Sequence, residues 1–224
     1  MNADFALGAD NILRCTAWDK FAWQSHGFGT RHSNPSAQIT LRQVHSNHVF
    51  NARGLTDRCC EGDALVSNVV GEAIGVRTAD CVPMLFLDPE HRAVAAIHAG
   101  WRGTVNAIAL RALEAMQANF NTNPASVHAA IGPAIQACCY EVGSDVASRF
   151  SQLFPEWTAP PERRKVDLPE ANRRHLLSAG VPEGHIYDCG LCTYCEPGLF
   201  FSFRREPADP GRMLSAIGVV AAAA

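Results

Sequence analysis

The chain has 224 residues, 47% of them apolar, and a formal net charge of −3. That length is ample for one large core and sets a single domain over residues 1–224 as the expectation. The slightly acidic balance argues against a nucleic-acid partner. No run of about 18 apolar residues marks a membrane span, and the N-terminus lacks the charged and apolar regions of a secretory signal. A cytoplasmic location and reduced thiols follow as expectations, although nine cysteines are many for such a chain.

Residues 1–42 carry little periodic signal, with short strands expected near Phe21–Gly27 and Gln38–Arg42. His26, Arg31 and His32 read as exposed loop residues. ALVS and AIGVRT, within residues 61–82, read as two strands joined by a glycine turn. The apolar runs PMLFL and AVAAI flank DPEHR and predict a hairpin with Pro89-Glu90 at its tip. That register sets Cys81 opposite His98, where facing side chains lie roughly 5 Å apart. A one-residue slip would send them to opposite faces.

Beyond the hairpin, TVNAIALRALEAMQANF has apolar residues at helical spacing, with Thr104 as its N-cap. Gly100, Arg102 and Gly103 just before it suit either an anion-binding turn or a tight strand-to-helix passage. SVHAAIGPAI predicts a strand, and CCYEVGSDVASRFSQLF a turn and a helix. Cys138 and Cys139 read as packing residues, because adjacent thiols make neither a ready chelate nor an easy disulfide. FPEWTAPPERRK reads as a surface loop. DLPEANRRHLLSAG predicts a helix capped by Asp167, with Pro169 in its first turn and Gly180 past its end. HIYDCG, FFSFRREP and LSAIGVVAA supply further strands. The fold class expected is α/β (α+β), a layered sandwich of mixed, largely antiparallel sheets flanked by helices.

His45, in QVH, adds a second imidazole to Cys81 and His98. Three such ligands can form a zinc site with an open fourth position. The same residues also fit a buried thiol and hydrogen-bonded imidazoles with no chemistry. Cys189, Cys192 and Cys195 form a rival metal signal, C-x-x-C-x-x-C, with no fourth cysteine at useful spacing.

QVH, GDALVSN, TADC, HAGWRG, IGPAI followed by CYEVG, CT and FFSFRR occur in that order between Gln43 and Val220. As an ordered set they resemble the YfiH/laccase-domain family, also called multicopper polyphenol oxidase-like. The resemblance implies a zinc ion (copper being the other option) held by His45, Cys81 and His98. It also implies phosphorolysis of adenosine, inosine and S-methyl-5′-thioadenosine, and deamination of adenosine. The partners would then be purine nucleosides and phosphate. The family carries a longer stretch between its TR element and QVH than this chain has between Thr30-Arg31 and Gln43.

For these reactions Asp80 or Asp63 is the expected proton shuttle, and Arg102 an anion-binding residue of the catalytic group. Gln43, Arg77 and Arg204 are the expected substrate-binding residues. Copper-dependent polyphenol oxidation is an alternative, weakened by the single His-Cys-His set. Another is a metal-free hydrolase with Cys81 as nucleophile and a histidine base, acting on a cell-wall nucleotide-sugar precursor. A non-enzymatic, zinc-stabilised binding module is the last.

Overall fold

A computed structural model describes residues 2–157, 163–208 and 210–221. The strands are β1 (Phe5–Leu7), β2 (Leu13–Cys15), β3 (Gln24–Phe28), β4 (Val49–Asn51), β5 (Ala64–Ser67), β6 (Ala73–Thr78), β7 (Val82–Asp88), β8 (Ala93–Ala99), β9 (His128–Ile131), β10 (Glu141–Gly143), β11 (Arg163–Lys165), β12 (Ile186–Asp188) and β13 (Met213–Val219). The α-helices are α1 (Trp101–Val105), α2 (Ile108–Phe120), α3 (Ser144–Ala147) and α4 (Leu168–Ser178).

Three layers result. A six-stranded sheet, ordered β12-β9-β7-β8-β5-β4, lies in the middle. Its central pairs are antiparallel, and its outer pairs β12–β9 and β4–β5 are parallel. One face packs on α2 and α4 through Met84, Phe86, Ile97, Ile108, Met116 and Leu176. The other packs on a five-stranded antiparallel sheet, β1-β2-β3-β13-β6, through Leu85, Leu87, Val94, Phe28, Ile74 and Ile217. A strand covered on both faces must be apolar at every position. That is why PMLFL and AVAAI are unbroken runs, and every residue of β7 and β8 is buried. The expected layered sandwich of mixed, largely antiparallel sheets with helices is therefore the fold, with α2 and α4 on one face of the middle layer.

The central hairpin closes through four residues, Pro89 to Arg92, rather than two. Arg92 takes a left-handed φ of 48°, and the Asp88 carboxylate accepts the Glu90 N–H at 2.9 Å. Its register therefore pairs Pro83 with His98 and Val82 with Ala99, not Cys81 with His98. This two-residue offset leaves parity intact, so Cys81 and His98 still belong to one side of the sheet.

Other elements differ from their sequence expectations for local reasons. Gln38–Arg42 forms no strand, only isolated bridges Ile39–Ile74 and Arg42–Glu61. His26 is buried, not exposed: its Nε2 accepts the Cys15 N–H at 2.9 Å, and its Nδ1 donates to Gln24. His32 is exposed. The long helix from Thr104 is broken at Ala107, whose φ is 57°, into α1 and α2. Thr104 is not a cap but an interior residue of α1, its hydroxyl accepting from Asn172 at 3.0 Å. The helix after Cys139 shrinks to α3 and a single 3-10 turn, Ser148–Phe150. FFSFRREP makes turns rather than a strand. Arg163–Lys165, expected in a loop, pairs with Glu141–Gly143. Residues 158–162 of that loop lie outside the described residues. The helix α4 matches its expectation, with Asp167 accepting the Glu170 N–H at 2.9 Å. Among the described residues no helix is long and apolar enough to cross a membrane.

Candidate metal and substrate site

The site grows from the open ends of β7 and β8. Cys81 precedes β7, and His98 is the penultimate residue of β8. His45 arrives on a loop wrapped around the buried carboxylate of Asp63. Asp63 Oδ2 accepts from the Ser46 N–H (2.6 Å), the Ser46 hydroxyl (2.7 Å) and the Val44 N–H (3.3 Å). Its Oδ1 accepts from the His45 N–H (3.0 Å) and from His98 Nδ1 (2.8 Å). Burial pushes the Asp63 carboxyl up, but the His98 and Ser46 hydrogen bonds hold it down at about 2. One carboxylate thus fixes both imidazoles: the His45 backbone in its left-handed φ of 60°, and the His98 ring through its Nδ1–H.

The donors converge. His45 Nε2 lies 3.9 Å from Cys81 Sγ, and the two imidazole rings meet edge to face at 4.9 Å. One ligand atom from each of His45, Cys81 and His98 lies within 4.8 Å of the others. With Nδ1–H committed to Asp63, His98 keeps Nε2 for a ligand, the carboxylate–histidine pattern found behind metal-binding imidazoles. Gly100 makes the approach possible. A Cβ there would sit 2.8 Å from His45 Cδ2 and 3.1 Å from Cys81 Sγ.

The donor set is one sulfur and two nitrogens, which fits a single tetrahedral ion with one position left open. Without an ion, burial works against charge on both members of the thiol–imidazole pair. Their mutual attraction prevails, lowering Cys81 to about 6 and, with Asp63, raising His98 to about 9. In that thiolate–imidazolium pair it is the His98 Nε2 proton that must leave before a metal can bind.

A cavity of about 640 Å³ opens over these donors. Arg58, Arg77, Arg204 and Arg212 line it against one carboxylate, Asp80, with Trp101, Tyr140 and Phe203 as its aromatic surfaces. Asp80 has a φ of 87°, and its carboxylate accepts from Thr193 Oγ1 (2.6 Å) and the Arg204 N–H (2.7 Å). Gln43 clamps Arg77 through paired 2.7 Å bonds, Nε2–H to the Arg77 carbonyl and Arg77 N–H to Oε1. Arg77 Nη1 donates to Thr40 Oγ1, and Arg204 Nη1 donates to the Glu141 carbonyl. Burial, then the Cys81 charge, pushes the Tyr140 hydroxyl up to about 12, so it stays neutral. A second hollow, about 410 Å³, has His26 in its lining, but both ring nitrogens of that residue are already hydrogen-bonded.

The structure therefore gathers His45, Cys81, His98, Asp80, Gln43, Arg77 and Arg204 around one cavity. Asp63 and Arg102 stand outside its lining. Asp63 lies behind the imidazoles with both oxygens engaged. Arg102 is exposed, its guanidinium 4.6 Å over the Trp101 ring. The Gly100–Gly103 turn is a matter of close approach: a Cβ on Gly103 would meet the Ser46 carbonyl at 3.1 Å. Arg58, Arg212 and Phe203 were not singled out from the sequence. Each sits in a turn-rich stretch with no periodicity to mark which way it faces.

A family model described as multi-copper polyphenol oxidoreductase laccase matches residues 26–220. Purine nucleoside phosphorylase YlmD of Geobacillus stearothermophilus is 41% identical over 162 residues, 70% of this chain and 59% of that protein. The match thus spans less than two thirds of that relative's length. Adenosine deaminase RL5, from an unknown prokaryotic organism, is 39% identical over 194 residues, 80% of this chain and 74% of that protein. The crystal structure of Bacillus licheniformis hypothetical protein YfiH superimposes with a TM-score of 0.87 at 28% identity, covering 97% of this chain and 100% of that one. Motifs, layers and overall match agree, and the chain belongs to the multi-copper polyphenol oxidoreductase laccase family.

Proposed function

We propose that the protein is a zinc-dependent purine nucleoside phosphorylase that also deaminates adenosine. The observation that carries this is the charge of the cavity: four arginines against one carboxylate, beside two imidazoles and a thiol. Among the described residues none of the four arginines makes a salt bridge; Arg77, Arg204 and Arg212 each spend Nη1 on Thr40 or on backbone carbonyls, which leaves their other guanidinium N–H groups for a phosphate. Trp101, Tyr140 and Phe203 offer flat apolar surfaces for a purine. The names of the relatives, purine nucleoside phosphorylase and adenosine deaminase, point the same way.

His45, Cys81 and His98 would hold the ion, which would supply Lewis acidity at the cavity floor. Phosphorolysis needs phosphate held against the ribose carbon while the base departs. Arg77 and Arg204, which line the cavity, would hold that anion, with Gln43 fixing the backbone of Arg77. Deamination needs a carboxyl that passes a proton to the leaving nitrogen. Asp80 is the carboxylate that lines the cavity; Asp63 has its oxygens occupied by five donors. The substrates proposed, as the family resemblance implies, are adenosine, inosine and S-methyl-5′-thioadenosine, with phosphate.

The test is incubation of the zinc-loaded chain with adenosine and phosphate. Adenine with ribose 1-phosphate, and inosine, are the expected products. Production no greater than that of a His98→Ala variant rejects the reading.

One observation favours a second reading, a cysteine-type hydrolase. The Cys81 thiol is held near 6 beside an imidazole, as a nucleophilic thiolate would be. Turnover that survives chelation but not alkylation of Cys81 would select it over the zinc enzyme. The family's name brings copper oxidase chemistry to mind, yet only one of the donor groups among the described residues contains two imidazoles. One zinc per His-Cys-His site, without copper, is the expected content.

A further inference from the structure

The C-x-x-C-x-x-C run divides once the chain is folded. Cys189 is fully buried in the core between the two sheets, away from the other two sulfurs. Cys192 and Cys195 instead meet the adjacent pair Cys138 and Cys139, brought in by the loop after β9. The Cys138 and Cys139 sulfurs lie 3.5 Å apart, so the turn aims both in one direction; Cys139 packs, half-buried, against the helix-side core as expected, whereas Cys138 is exposed and does not. Cys195 Sγ stands 3.4 Å from Cys139 Sγ and 3.7 Å from Cys138 Sγ. All four sulfurs lie within 4.8 Å of one another.

We propose that Cys138, Cys139, Cys192 and Cys195 bind a second, structural zinc ion, separate from the His45–Cys81–His98 site. Sulfur geometry is the first argument. Four thiolates about 2.3 Å from a central ion form a tetrahedron with edges of about 3.8 Å. Three of the separations, 3.4 to 3.7 Å, fall just inside that length, and none of the others exceeds 4.8 Å. An iron–sulfur cluster would occupy more room and hold its four thiolates farther apart.

Backbone geometry is the second. The backbone N–H groups of Gln136, Cys195 and Tyr194 lie close enough to the Cys192 sulfur to favour its thiolate. A C-x-x-C turn folded over its own first sulfur presents donors that offset the charge of a bound thiolate. Cys192 is buried and Cys139 half-buried, whereas Cys138 and Cys195 are exposed. An ion can thus enter from solvent, the four thiols releasing their protons as it binds.

A disulfide fits less well. Neighbouring residues have Cα atoms about 3.8 Å apart, shorter than disulfides span, so Cys138 and Cys139 do not readily pair with each other. A bond from either to Cys195 would leave two sulfurs of the cluster idle.

The position gives such an ion a purpose. It would tie the loop at residues 134–140 to the turn at residues 189–196, already joined by the Ala134–Cys192 bridge. Each tied segment supplies the cavity. Tyr140 follows Cys139 and lines it, and Thr193 follows Cys192 and holds Asp80. With all four positions filled by protein the ion is structural, fastening one wall of the substrate cavity.

The experiment measures zinc per full-length chain, purified under reducing conditions without added chelator. The His98→Ala variant, with its first site broken, is expected to retain one equivalent. The exposed-site double variant Cys138→Ser/Cys195→Ser is expected to lose one equivalent relative to wild type while keeping the other. Cobalt loaded into His98→Ala should show the thiolate charge-transfer bands of an all-sulfur tetrahedral site, absent when Cys195→Ser is added. If His98→Ala fails to fold, the cobalt spectra of wild type and Cys195→Ser, whose substitution is at an exposed position, give the same comparison. Retention of all metal by the double variant overturns the proposal. So does a Cys195 disulfide in the freshly isolated chain, or iron at the four sulfurs. Loss of the second ion with purine turnover absent throughout would sink the proposed activity and leave this site standing.

Discussion

His98 Nδ1 donates to Asp63 Oδ1 across 2.8 Å, and the same oxygen accepts the His45 backbone N–H at 3.0 Å. Two imidazoles from distant segments are therefore set by one buried carboxylate. Asp63→Asn places an amide N–H₂ among groups that are all donors. Metal affinity should fall by roughly 10–100-fold, the range for losing such a partner. Competition with a chromophoric chelator reads it. An unchanged affinity would mean that Asp63 does not orient the ligands.

Gly100→Ala should damage the site without straining the chain. The backbone there has φ −72° and ψ 172°, open to any residue. The added Cβ, however, would fall 2.8 Å from His45 Cδ2 and 3.1 Å from Cys81 Sγ. Displacing either group by about 1 Å is expected to cost roughly 100-fold in turnover. The melting temperature should hold to within a few degrees, which separates this variant from a folding defect. Wild-type kinetics would show that the imidazole has room to yield.

Asp80 and Arg77 should separate the two proposed activities. Asp80→Asn tolerates the left-handed φ of 87°, since asparagine visits that region readily. It removes the carboxyl needed for proton transfer, so adenosine deamination should fall about 100-fold or more. Inosine phosphorolysis should fall less. Arg77→Met should do the reverse, raising the KM for phosphate roughly tenfold or more, as loss of a charge-assisted hydrogen bond does. Inosine turnover with saturating phosphate and product analysis by chromatography distinguish them. Equal losses in both activities for both variants would contradict the assigned roles.

Stability should depend on pH through His26. Burial, then the Arg14 charge, lowers its folded value from 6.5 to about 4. Its Nε2 accepts the Cys15 N–H, so a proton there would face a donor. Between those two values the unfolded chain binds more protons than the folded one. Stability is therefore fully present above pH 6.5 and lost as the pH falls toward 4, by up to roughly 3 kcal/mol. Denaturant midpoints taken across that window should show the slope, and His26→Gln should reduce it. A residual slope is expected from His128, also lowered to about 4 by burial and then by the His185 charge. An unaltered slope in the variant would place the titration elsewhere.

The amino-acid order by itself marked β5, β7, β8, β9 and β12 of the middle layer and the helix α4, but not β4 or the break between α1 and α2. Unbroken apolar runs of this length, set off by turn residues, mark strands covered on both faces, and α4 announces itself through Asp167, Pro169 and Gly180. The ligand-bearing motifs were also legible, because histidine and cysteine types limit what a cluster can do. Which residues meet was decided by tertiary structure. The four-residue turn at Pro89–Arg92 reset the pairing of Cys81 and His98, since turn conformation depends on Arg92 adopting a left-handed φ that no pattern demands. Asp63, expected at the chemistry, is taken up by five donors from segments far apart in the chain. Cys138 and Cys139 join Cys192 and Cys195 only because β9 and β12 run side by side. Periodicity records which face of an element is buried; it holds no record of which loops leave adjacent strands and converge. Long-range contacts carry that information, and they exist only once the layers have packed.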